Sequence, residues 1–169
     1  MSAAVAAGLP AGLALREEVR PADLEAVRAI VASTGFFRPD EIDVAVELVE
    51  ERLARGAASG YEFVFAERGG ATVGYACFGP IACTLGSYDL FWIAVEEGCR
   101  GQGLGRLLLG QAEARIRAVG GRRVYIETSS QPRYEPTRGF YHAAGYALEA
   151  RLVEFYAPGD DKLVYVRAL

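Results

Sequence analysis

A seven-residue stretch, Arg100-Gly101-Gln102-Gly103-Leu104-Gly105-Arg106, constrains this chain more than any other. It follows the apolar run Leu90-Phe91-Trp92-Ile93-Ala94-Val95, which reads as a fully buried central strand. It opens a run in which Leu104, Leu107, Leu108, Ala112, Ile116 and Val119 recur at helical spacing, until Gly120-Gly121 ends it. Three glycines in five positions remove side chains that would block a close ligand. The backbone N–H groups they expose lie at a helix N-terminus, whose partial positive charge favours an anion. Strand, glycine turn and helix in this order predict a phosphate cradle. A tight connection with no ligand is the competing reading of the loop taken alone.

Spacing narrows the choice. A P-loop needs a Lys followed by Ser or Thr after its last glycine, and none is present. A dinucleotide fold needs G-x-G-x-x-G, but Arg106 stands where the third glycine belongs. What remains is Arg-x-x-Gly-x-Gly, defined by Arg100, Gly103 and Gly105. The charge balance of 22 acidic against 18 basic residues, with no basic run, argues against nucleic acid as a partner. The three cysteines, Cys77, Cys83 and Cys99, are odd in number and lack C-x-x-C spacing, which points to a reducing compartment. Cys77 and Cys83 read as buried thiols, Cys99 as partly exposed. His142 is the single histidine, so neither a metal centre nor a Ser-His-Asp triad is expected. Residues 1–11 are Ala/Gly-rich, broken by Pro10, and read as a disordered leader without signal-peptide pattern. No segment is long enough to span a membrane, and the protein reads as cytoplasmic.

The periodicity predicts eleven elements in the order β-α-α-β-β-β-α-β-α-β-β. Leu13–Arg16 is a strand; a helix from Pro21 carries Leu24, Val27, Ile30 and Val31, and another from about Pro39 carries Ile42, Ala45, Val46, Val49 and Leu53. Strands over 61–67 and 72–78 form a hairpin, and Gly79-Pro80 breaks the second. Strands over about 87–95 and 123–128, bridged by the long helix, make a parallel β-α-β unit. A short helix over 137–144 and strands over 146–156 and 163–167 follow, the last two joined by a turn at Pro158-Gly159-Asp160-Asp161. Ligands of such sheets bind at the carboxyl ends of parallel strands, where the glycine loop lies.

A second stretch, Phe140-Tyr141-His142-Ala143-Ala144-Gly145-Tyr146, has its own physical reading. Gly145 suits the left-handed position that stops a helix, Phe140 and Ala144 pack inward, and Tyr141 points along another face. With the Arg-x-x-Gly-x-Gly loop upstream, it resembles the F-Y-x-x-x-G-[FY] helix of the GNAT N-acetyltransferases. The likeness covers about 87–146 by motif, and from Leu13 onward by element order.

That resemblance implies a single GNAT domain over 12–169, an α/β (α+β) fold. Its central sheet is mixed and mostly antiparallel, of six to seven strands with helices on both faces. It implies an acetyl-CoA-dependent acyltransferase acting on the amino group of a small amine, amino acid or peptide, with no metal. Backbone N–H groups near Ile93 and Ala94 polarise the acetyl carbonyl, and Val95 pairs with the pantetheine arm. The Gly101 turn and the amides of Gln102, Gly103, Leu104, Gly105 and Arg106 hold the pyrophosphate, with charge added by Arg100 and Arg106. Phe140 and Thr128 complete the coenzyme contacts, Thr128 where many relatives carry Asn. Tyr141 returns a proton to the thiolate, a phenol of pKa ~10 being close enough for transfer. The base is Asp89, Glu127 or a water chain, burial raising the pKa of either carboxyl. Phe36, Phe37, Phe155, Tyr156, Asp160 and Asp161 line the acceptor side. A homodimer is compatible with the sequence. Two other classes compete: a non-catalytic acyl-CoA-binding module and a dinucleotide-binding enzyme.

Overall fold

The computed structural model describes residues 9–169, so all but the last three positions of the expected leader lie outside the described residues. The elements are β1 (Leu13–Arg16), α1 (Asp23–Ser33), α2 (Pro39–Arg55), β2 (Glu62–Arg68), β3 (Ala71–Pro80), β4 (Ser87–Val95), α3 (Leu104–Ala118), β5 (Arg123–Ser129), α4 (Glu135–Ala143), β6 (Ala147–Ala157) and β7 (Asp160–Ala168). Their order is the expected one. Short 3-10 turns at Gly56–Ser59, Glu97–Cys99 and Pro132–Tyr134 are added. All seven strands join one sheet in the order β1-β2-β3-β4-β5-β7-β6. β4 and β5 are parallel, while β1 with β2, β5 with β7 and β6 with β7 are antiparallel. The parallel ladder is short, running only from Ser87↔Arg123 to Asp89↔Tyr125.

The chain packs as two units. The first holds the described residues up to Cys77 together with Trp92–Ala112. In it, Val27, Ile30 and Val31 of α1 and Ala45, Val46 and Val49 of α2 form the expected stripes, closed over Phe63, Phe65, Tyr75, Cys77 and Ala94. Phe63 and Phe65 stack at 5.6 Å, their rings 3° from parallel. Pro39 opens α2, and the Arg38 N–H donates to the Glu41 carboxylate at 2.8 Å, a capping-box contact. A pairing with no local sequence signal sits beside β1. The Arg16 guanidinium donates to both carboxylate oxygens of buried Asp23 at 2.9 and 2.7 Å, and to Glu67 at 2.7 Å.

The second unit holds Phe78–Phe91 with Glu113–Leu169. Val124, Ile126, Tyr141, Tyr146, Leu163, Tyr165 and Val166 are buried in it. Glu113 is the buried acceptor at its centre, taking the Tyr146 hydroxyl at 2.8 Å and the Arg167 guanidinium at 3.0 and 2.8 Å. At the turn into β5, a Cβ on Gly121 would stand 2.8 Å from the Ile116 carbonyl oxygen and 3.0 Å from the Tyr88 ring. Gly121→Ala is therefore expected to cost about 2 kcal/mol, read as a lower urea midpoint at unchanged m-value.

Several expectations are corrected. β4 is not fully buried: Leu90 and Ala94 are, but Phe91 on the alternate face is 37% exposed. A continuous apolar run does not reveal that one face of a strand is incompletely covered. β3 continues through Gly79 and Pro80, and Ile81 then donates to the Ser87 carbonyl at 2.9 Å. Pro80 is the last strand residue, where a missing N–H costs little. Val119 lies past the end of α3 and is 71% exposed, and Leu53 in the last turn of α2 is exposed too. Cys83 is exposed in the turn before β4. Asp160 and Asp161 belong to β7 and are buried, so the turn is only Pro158-Gly159.

Candidate active site

The glycine loop lies in the first unit. The Glu96 N–H donates to the Val73 carbonyl at 2.9 Å and fixes the exit of β4. The Glu97–Cys99 turn follows, with the Glu97 N–H bonded to Ser33 Oγ at 3.1 Å. Gly101 and Gly103 have φ of 73° and 80°, a left-handed backbone that glycine adopts freely. A Cβ on either would meet no protein atom within 4 Å, so the space before the loop is open to a ligand. The Gly103 carbonyl accepts the Leu107 N–H at 3.0 Å as α3 begins. The N–H groups of Leu104, Gly105 and Arg106 precede Leu107, the first helical donor, and have no acceptor within the helix. The first turn of α3 carries no acidic residue to quench that positive end. This geometry fits a phosphate or diphosphate.

Neighbouring side chains frame the loop. Arg68 donates to Gln102 Oε1 at 2.8 Å. Arg100 pairs with Glu97 at 3.1 Å, and its guanidinium lies 5.7 Å from the Phe36 ring centroid. It is thus partly committed within the protein, whereas Arg106 stands exposed on α3. Phe37 packs on Trp92 at 5.1 Å.

The carboxylates and the phenol lie in the second unit. β5 and β7 pair in regular register, so Ile126, Thr128, Leu163 and Tyr165 share one sheet face, and Tyr125, Glu127, Lys162 and Val164 the other. Asp89, opposite Tyr125 in the parallel ladder, shares the Glu127 face. Tyr141 packs on the opposite face, its ring 6.2 Å from Tyr165, 6.1 Å from Tyr146 and 5.5 Å from Phe140. The buried residue of this helix is Tyr141, while Phe140 and Ala144 are only half-buried, which reverses the inward pair expected. Packing among three tyrosines decides this, and no heptad-type spacing announces it.

The Tyr141 hydroxyl has no hydrogen-bond partner among the described residues. Burial pushes its phenol well above the ordinary tyrosine value. It therefore keeps its proton through neutral and moderately alkaline pH, in place of the near-ordinary phenol expected. Burial, and next the charge of Glu127, raise the Asp89 carboxyl, while Lys162 opposes the rise. Glu127 is half-exposed and bound to Lys162 Nζ at 2.7 Å.

The carboxylates of Asp160 and Asp161, expected on the acceptor side, are engaged within the protein. Asp160 takes the Ser129 hydroxyl at 2.5 Å and the Gln131 amide at 3.1 Å. Asp161 takes the Glu154 N–H at 2.7 Å and pairs with Arg151. That N–H contact supports Glu154 at φ 51°, a left-handed backbone rare outside glycine. The two acids brace the β6–β7 hairpin against the segment after β5. Phe155 and Tyr156, by contrast, are exposed on β6. Among the described residues no group of three or more His, Cys, Asp or Glu is placed to hold a metal. No helix of the described residues is long and apolar enough to cross a membrane.

A glycine turn at the start of the helix that bridges two parallel strands is a frame suited to a phosphorylated ligand. The sequence matches the model of the Acetyltransferase (GNAT) family over residues 25–146, and the chain belongs to that family. It is similar to a Desulfovibrio desulfuricans protein assigned to the same family, with 50% identity and a TM-score of 0.91, over 92% of this chain and 98% of that one. The fold is also that of an aminoglycoside 6'-N-acetyltransferase complexed with coenzyme A, at 19% identity and TM-score 0.75, covering 92% of this chain and 96% of that one. The yncA protein of Salmonella typhimurium, solved with acetyl-CoA, shares it at 20% identity and TM-score 0.71, with 94% of each chain covered. A comparison with curated proteins finds no match.

Proposed function

We propose that this acyltransferase moves the acetyl group of acetyl-coenzyme A to a primary amine, on a small amine, an amino acid or a peptide, by direct attack on the thioester. The observation that carries the reading is the cradle, with two left-handed glycines before a helix end free of acidic residues. When bound, acetyl-coenzyme A supplies an activated carbonyl and a sulfur leaving group. The amides of Gln102 to Arg106 hold its phosphates, and the Arg106 guanidinium adds charge. N–H groups near Ile93 and Ala94, past the end of the β4–β5 ladder, polarise the acetyl carbonyl. Val95 aligns the pantetheine arm, and Thr128 and Phe140 complete the contacts. Asp89 or Glu127 takes a proton from the amine as the N–C bond forms and the C–S bond breaks. Tyr141 gives its proton to the sulfur. Solvent takes the proton from the carboxyl and returns one to the phenolate, so amine plus thioester becomes amide plus thiol.

Acetyl-coenzyme A at about a hundred times its Kd is expected to raise Tm by roughly 5 °C or more, with no rise from NADH. Stabilisation by NADH alone would overturn the reading. Thiol release from acetyl-coenzyme A, tried with amines, amino acids, polyamines and peptides, is expected to be accelerated by one of these classes. Binding of the coenzyme with no acceleration by any class would mark a binding module instead of an enzyme.

A further inference from the structure

Three strands of the second unit bring Asp89, Glu127 and Lys162 to one sheet face, and only two of these carry a role so far. The register is unambiguous: Asp89 lies opposite Tyr125, Glu127 is two residues on along the same strand, and Lys162 lies diagonally across on β7. Lys162 Nζ is 2.7 Å from Glu127 Oε2 and 4.3 Å from the Phe155 ring centroid. The Lys162 side chain is only 15% exposed, against 49% for Glu127. A lysine so covered, with an anion on one side and an aromatic face on the other, is fixed in place. Asp89 has no ion-pair or hydrogen-bond partner of its own among the described residues.

We propose that Lys162 is a positioning residue: by binding Glu127 and resting on Phe155 it commits that carboxylate to an ion pair, leaving Asp89 to take the proton from the acceptor amine. This rests on the acetyl-transfer reading above and chooses between its two candidate bases. The transfer is a single proton from the amine nitrogen to a carboxylate oxygen of Asp89, released to solvent after turnover. The groups facing Asp89 are Tyr125 and Glu127 on β5 and Lys162 on β7. Lys162 stabilises the Asp89 carboxylate and also masks the negative charge of Glu127. Its loss therefore acts twice in one direction, toward a carboxyl that holds its proton to higher pH.

The test follows the side-chain carboxyl resonance of Asp89 by NMR in the full-length chain as pH is varied, the signal being assigned by its loss in Asp89→Asn. Lys162→Met is expected to move the midpoint up by about one pH unit, and Glu127→Gln to move it down. Lys162→Arg should hold it near the wild-type value. The acid limb of thiol release, with acetyl-coenzyme A and the fastest amine of the panel, should move with the resonance. A side chain that merely supports the fold would not shift the two variants in opposite directions. An unmoved midpoint in Lys162→Met and Glu127→Gln, or a downward move in Lys162→Met, overturns the proposal. Should Lys162→Met fail to fold, Glu127→Gln carries the test alone, and an unmoved or upward midpoint there is equally fatal. If Asp89→Asn keeps full thiol release with its acid limb intact, Asp89 is not the base and the proposal is overturned, while the acetyl-transfer reading stands with Glu127 or water as the base. Loss of that limb in Asp89→Asn with no response to Lys162→Met defeats only the role given to Lys162.

Discussion

Tyr141→Phe is expected to lower turnover by about a hundredfold or more while the Kd for acetyl-coenzyme A changes by less than about twofold. The substitution removes one oxygen and keeps the ring. Its packing on Tyr146, Tyr165 and Phe140 is retained, and the hydroxyl has no partner among the described residues to leave stranded. Stability should therefore be nearly unchanged, which separates this substitution from one that damages the helix. A fall in kcat with affinity preserved identifies an interaction made in the transition state and not in the bound complex. Because burial holds the phenol protonated, the ratio of wild-type to variant rates should stay flat from about pH 6 to about pH 9. A variant with wild-type turnover would remove Tyr141 from the chemistry.

Gly103→Ala should give the opposite pattern. Its φ of 80° costs a residue with a Cβ about 1–2 kcal/mol, and the loop relieves that strain by moving its amides. No protein atom lies within 4 Å of the new methyl group, so nothing in the fold resists it sterically. It projects into the open space before the cradle. The expected result is a Kd for acetyl-coenzyme A raised about tenfold or more, with kcat at saturation largely kept. Calorimetric titration with coenzyme A is the direct measurement. Unaltered affinity would mean that the Gly101–Arg106 loop does not hold the phosphates.

The two substitutions test residues that were legible without coordinates, and the reason is local. A left-handed glycine, a helix start and an F-Y-x-x-x-G run are each written within a few consecutive positions, as are the periodicities that define the elements. What escaped was non-local. Arg16 meets Glu67 across 51 positions, and Asp160 meets Ser129 across 31. In sequence, Pro158-Gly159-Asp160-Asp161 has the composition of an ordinary turn, although its acids brace a hairpin. Lys162 gave no signal because its nearness to Glu127 depends on the pairing of β5 with β7. The burial of β4 was overestimated for a related reason: a run of apolar residues states what a strand could bury, and its neighbours decide how much it does. The Tyr141 phenol departs from its ordinary value through burial alone, which only packing can supply.

One consequence follows from the placement of Tyr141 on one face of β5 and β7, with Asp89 and Glu127 on the other. On the proposed chemistry, the proton donor for the sulfur and the proton acceptor for the amine have no shared side-chain environment. A descendant gene could therefore drift in what it acylates, changing residues on the carboxylate face one at a time, without passing through forms that have lost the thioester-cleaving side. Laboratory selection for new amines should accordingly enrich changes on that face, and leave the tyrosine face as inherited.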